Sequence, residues 1–165
     1  MRFFRSLISL LAVVVVAASC LGGDPFVPKI EEVYFDPSLN VNLAASTKTA
    51  SGLYYRDLTV GTGAQVDTTP GDSVGVRYTG WLRNAEQFDS NVSAPTPLRF
   101  KTGSGGVIAG FDEGVRGMRV NGRRQIIIPP NLGYGAPGSG SIPPQSILVF
   151  EITLQIIYPP PPPTE

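Results

Sequence analysis

Histidine is absent from the 165 residues of this chain, and cysteine occurs once, at Cys20. The first absence removes the commonest general base and the commonest zinc ligand. The second excludes an internal disulfide. Net charge is missing as well: 13 basic residues balance 13 acidic ones, so no field exists to collect nucleic acid. With 19 glycines and 16 prolines, the chain favours turns and short strands over long helices. Its length sets the expectation of one domain. In place of reactive groups there is a scatter of apolar and aromatic residues. Tyr78, Phe88, Val107, Ile108, Phe111, Tyr134, Ile142 and Phe150 stand in or beside Gly- and Pro-rich turns, where side chains usually line a cleft. A cleft of rings without a nucleophile, an imidazole or a metal site points to work done by binding and desolvation, with no cofactor or metal.

The two ends of the chain read as something other than fold. Arg2 and Arg5 precede an apolar run from Leu7 to Ala18, the layout of a secretory signal over 1–19, whose run is short for a membrane span. Ala17-Ala18-Ser19-Cys20 resembles the lipobox of bacterial lipoproteins, with Ala17 where leucine is usual. The resemblance implies lipidation of Cys20 and attachment to the membrane by acyl chains. It places the protein in a bacterial cell envelope, with Leu21 after the cysteine favouring the periplasm-facing outer membrane. Residues 20–50 read as this lipidated end and a linker, although Ile30 to Phe35 form an apolar-acidic patch able to pack on the domain or on a partner. At the other end 159–165 contains five consecutive prolines, a stiff extended tail or a ligand for a proline-binding partner.

The body, 51–158, reads as antiparallel strands around one short helix, an α+β fold. Strands are expected at Gly52–Val60, Ser73–Leu82, Leu98–Lys101, Arg123–Ile128 and Ile147–Ile157. In the last, Leu148, Phe150, Ile152, Leu154 and Ile156 alternate with polar residues and share one face. Asn121-Gly122 suits a tight turn with positive φ. Phe111, Val115 and Met118 recur at helical spacing, predicting a two-turn helix over Phe111–Met118.

Five tags then occur in order: Val76-Arg77-Tyr78-Thr79-Gly80, Phe88-Asp89-Ser90, Val107 through Gly114, Tyr134-Gly135, and Ile142-Pro143-Pro144 leading to Leu148-Val149-Phe150. Together they resemble the FKBP-type peptidyl-prolyl cis-trans isomerases over about residues 51 to 157. The resemblance implies a twisted antiparallel sheet wrapped around the helix, and a site acting on proline-containing polypeptides and open to tacrolimus-like inhibitors. It implies catalytic roles for Tyr78, Phe88, Asp89 and Tyr134, and substrate contacts from Val107, Ile108, Phe111, Ile142 and Phe150. A monomer is expected. Three departures stand out. Phe111 replaces the commoner tryptophan, Ala94 falls where some members pair an arginine with the aspartate, and the loop Pro137–Ser141 is about one residue shorter and stripped to Gly and Ser.

Isomerisation suits a site without nucleophiles. Twisting an X-Pro amide crosses a barrier of about 20 kcal/mol and breaks no bond. A non-catalytic chaperone that holds proline-containing segments in the same cleft is the alternative. Local readings also stay open: Phe150 serves equally as core beside Leu148 and Ile152, and Asp89-Ser90 as a turn cap.

Overall fold

The strongest alternation in the sequence becomes the centre of the sheet. In the computed structural model, which describes residues 27–67 and 70–159, β7 (Leu148–Tyr158) lies between β3 (Ser73–Leu82) and β6 (Arg123–Ile128). The expected signal segment 1–19, Cys20 and residues 160–165 of the proline tail lie outside the described residues. β2 (Tyr54–Thr59) and β1 (Thr47–Lys48) extend the sheet beyond β6. At its other edge, β3 carries two short partners in succession: β5 (Leu98–Lys101) along Ser73–Val76 and β4 (Gln87–Ser90) along Thr79–Trp81. Every pairing is antiparallel. Among the described residues the single α-helix, α1 (Ala109–Val115), lies on β6. Among the described residues no helix is long and apolar enough to cross a membrane.

All five expected strands fall where their patterns place them, to within two residues. The helix is displaced, starting at Ala109 and ending at Val115. Arg116 is extended and Gly117 takes φ +74°, so the third apolar position, Met118, is buried from a turn. Ile156, expected on the inner face, is 40% exposed. The partners of Gly75 and Val76 are Ile156 and Leu154, so Gln155 is an extra residue, and this bulge turns Ile157 inward instead. Asn121 has the expected positive φ, +70°, but its turn leads from the helix into β6 and closes no hairpin, because β6 pairs with β2 and β7.

The sheet buries apolar residues on both faces, the second only in part. One packs α1, with Phe111, Val115, Ile126, Leu148, Phe150 and Ile152 in a single cluster. The other is covered by residues 30–43, where Ile30 and Leu39 pack against Tyr54, Ile127, Ile147 and Val149. This strap occupies the stretch read from sequence as linker. Short-range polar closures hold it in three-residue turns: Asp36 accepts from Ser38 N at 2.9 Å, and Asn42 from Ala45 N at 3.1 Å. The buried Gln125 donates to Leu39 O at 2.7 Å, tying the strap to the sheet.

Candidate active site

A cleft of about 230 Å³ opens on the helix face of the sheet, lined by Tyr78, Asp89, Leu98, Gly106, Val107, Ile108, Phe111, Tyr134 and Phe150. Phe111 lies at its base, 3% exposed. It makes edge contacts to Phe150, Tyr78 and Phe100, with ring centroids 5.2, 5.3 and 5.8 Å away. Such pairs add about 0.5–1.5 kcal/mol each beyond their area, so the base is built to keep its shape.

Each element delivers its residue for a local reason. Strand alternation turns Val76 and Tyr78 to the helix side of β3. α1 is held at its C-terminal end by the buried Arg124. This guanidinium donates to Gly114 O at 3.0 Å and Arg116 O at 2.9 Å, and it pairs with both oxygens of Asp57 at 2.7 and 3.1 Å. At the other end of the helix the buried Asp112 accepts from Gly103 N at 2.8 Å and pairs with Arg116. That tie fixes the loop whose last residues are Val107 and Ile108. The Ile108 carbonyl opens the helix, accepting from Phe111 N and Asp112 N. Its own N–H donates to no described residue.

The polar edge consists of two phenols and a carboxylate. The Tyr78 hydroxyl donates to Asp89 Oδ2 at 2.5 Å. Burial, and then the bond to Asp89, push the Tyr78 phenol well above its ordinary value of 10. Burial first and the Asp89 charge second also raise Tyr134. Both rings therefore stay neutral donors at physiological pH. The Tyr134 hydroxyl bonds to no described residue, which leaves it available to a ligand. Among the described residues Asp89 forms no ion pair.

Two expected site residues stand behind the lining. Phe88 sets its edge against Phe150 with centroids 5.4 Å apart. Ile142 is 7% exposed within the main core. The reciprocal Ser139–Ile142 bonds, at 2.8 and 3.0 Å, close a tight turn that drives its side chain under the loop. Leu98 and Gly106 line the cleft without having been singled out. For Leu98 the signal was present, since it is two residues from the inward Phe100 on a recognised strand.

Comparison with known proteins follows the same residues. A family model described as FKBP-type peptidyl-prolyl cis-trans isomerase matches residues 65–155. The chain is 44% identical over 108 residues to the FK506-binding protein of Neisseria meningitidis serogroup B, covering 65% of this chain and 97% of that one. To FK506-binding protein 2 of Dictyostelium discoideum it is 50% identical over 90 residues, 54% of this chain and 68% of that one. The chain belongs to the FKBP-type peptidyl-prolyl cis-trans isomerases. Crystal structures agree with the assignment. FkpA from Escherichia coli superposes with a TM-score of 0.64 at 34% identity, over 71% of this chain and 53% of that one. AtFKBP13 superposes with 0.62 at 34% identity, over 68% and 98%. In this isomerase Phe111 forms the cleft base, with Phe100 and Phe150 set edge-on against it.

Proposed function

We propose that this isomerase acts on X-Pro bonds of exported polypeptides by binding the proline in a dry ring-walled cleft and holding the flanking amide as it twists. Phe111, Phe150, Val107, Ile108 and Leu98 surround the proline, with Phe88 backing Phe150. A twisted amide is less polarised than a planar one, so removing water costs the ground state more than the transition state. Only such differential stabilisation raises a rate. The Ile108 N–H and the Tyr134 hydroxyl, both without partners among the described residues, hold the carbonyls on either side. Asp89 fixes the Tyr78 hydroxyl and acts on no proton. The observation that carries this reading is the pairing of a desolvated ring cluster with two unengaged donors at its rim.

FK506 binding is stated in the names of relatives, and we extend it to this cleft. A protease-coupled isomerisation assay with and without FK506 tests both parts. Turnover suppressed by the drug supports the reading. Drug binding without turnover supports a proline-holding chaperone instead, and neither result leaves a scaffold only. Export and anchoring rest on the Ala17–Cys20 sequence: acyl modification of Cys20, lost in Cys20→Ala together with membrane association, is the expected result in envelope fractions.

A further inference from the structure

Asp89 and Leu98, which both line the cleft, are joined by a segment that no strand holds. β3 pairs with β5 up to Val76 and with β4 from Thr79, so its edge at Arg77 and Tyr78 faces only the loop 91–97. That loop, Asn-Val-Ser-Ala-Pro-Thr-Pro, is short of donors because its two prolines have no N–H. Ala94 and Thr96 each precede a proline and are biased toward extended backbone. Its carbonyls must find donors elsewhere.

Two side chains supply the missing bonds. Asn91 Oδ1 accepts from Tyr78 N at 2.7 Å, and its Nδ2 donates to Val76 O at 3.0 Å. The amide thus stands in for a strand partner at the gap. Arg77, on the opposite face of β3 from Tyr78, brings Nη1 within 2.8 Å of Asn91 O, 2.7 Å of Ala94 O and 2.9 Å of Thr96 O. Its two hydrogens are shared among three carbonyls. Charge-assisted bonds of this kind are about twice as strong as neutral ones. The arginine contacts the loop at its start, its turn and its end.

We propose that Arg77 is a positioning residue of the isomerase cleft, which it serves from the far face of the sheet. By bracing the loop it sets where Asp89 and Leu98 stand, and through Asp89 it sets the Tyr78 hydroxyl. The proposal rests on the roles given above to Asp89 and Tyr78.

Arg77→Met and Arg77→Lys are to be compared with Arg123→Met, a change on the same outer face at a side chain that bonds to no described residue. The assay is run where circular dichroism shows every variant folded. Arg77→Met is expected to lower kcat/KM roughly three- to tenfold, Arg77→Lys to recover part of the loss, and Arg123→Met to leave it unchanged. NMR signals of the Tyr78 ring and Leu98 methyls should move in Arg77→Met while those of Ile126 stay. Combined with Asp89→Asn, Arg77→Met should cost less than the product of the two separate losses. Unchanged kcat/KM, strict additivity with Asp89→Asn, or lost activity with the Tyr78 and Leu98 signals in place each overturns the proposal. If Arg77→Met does not fold, Arg77→Lys carries the same readings. A wild-type chain without turnover counts against the proposed function instead, and the NMR shifts then decide on the brace alone.

Discussion

Among the described residues the Tyr78 hydroxyl has one partner, Asp89, at 2.5 Å, so its contribution is separable by mutation. Tyr78→Phe removes the hydrogen bond at the cleft edge, and Asp89→Asn leaves an acceptor there but takes away its charge. Each is expected to lower kcat/KM about fivefold, the equivalent of about 1 kcal/mol. Neither change should abolish turnover, because the rings remain. The pH profile should be flat from roughly pH 6 to 9. With no histidine in the chain and both phenols raised above 10, no donor of the cleft titrates there. A bell centred near neutrality would contradict the assignment. Gly80 is a third residue-scale case, since a Cβ there would meet Phe150 Cε1 at 2.6 Å and Phe88 Cζ at 2.8 Å. Gly80→Ala must push both rings aside, and overpacking of this kind costs about 1–3 kcal/mol. Denaturant unfolding together with kcat/KM should show both falling. The residues Tyr78, Asp89 and Phe111 were legible as tags in sequence. Their distances were not, because ring contacts depend on how α1 and β3 approach each other.

That approach is set at the level of elements. α1 carries glycine at 110 and 114, and a Cβ at Gly110 would lie 2.4 Å from Ile128 Cγ2, one at Gly114 2.8 Å from Ile126 Cδ1. Helix propensity alone favours alanine over glycine by about 1 kcal/mol. The contact decides the other way: Gly110→Ala is expected to destabilise by a net 1–2 kcal/mol or so, seen as a lower urea midpoint at unchanged m-value. A stabilised variant would show that the helix can lift from β6 at little cost. Element identity was readable wherever a pattern ran for six residues or more, as in β3, β6 and β7. β4 escaped because Gln87–Ser90 has one apolar residue and draws its pairing from β3. The bulge at Gln155 escaped for a related reason, since it is defined by the register of β7 against β3.

At the scale of the molecule, the sheet needs cover on both faces, and the strap from Ile30 to Leu43 supplies the second. Its composition reads as linker because its few apolar residues, spaced by acidic and turn residues, have no period of their own. The sheet supplies the order. One polar latch fastens it: the Glu31 carboxylate accepts from Tyr54 at 2.6 Å and pairs with Lys48. The lysine bond first, and the tyrosine bond second, lower Glu31 from 4.5 to about 2. A carboxylate made more acidic by folding stabilises the folded state above its unfolded value. That contribution is lost as pH falls from about 4.5 through about 2. The side chain is 42% exposed, so solvent screening holds the contribution to about 1 kcal/mol or less. Glu31→Gln should therefore melt about 2–5 °C below the wild type at neutral pH. The gap should narrow below pH 4.5 and close near pH 2, because the wild-type carboxyl is then protonated as well. A gap that persists undiminished through that window would mean that the strap is held by its apolar contacts and its other polar ties, from Gln125 to Leu39, Arg56 to Asn40 and Asp36 to Arg83, with the carboxylate contributing only shape.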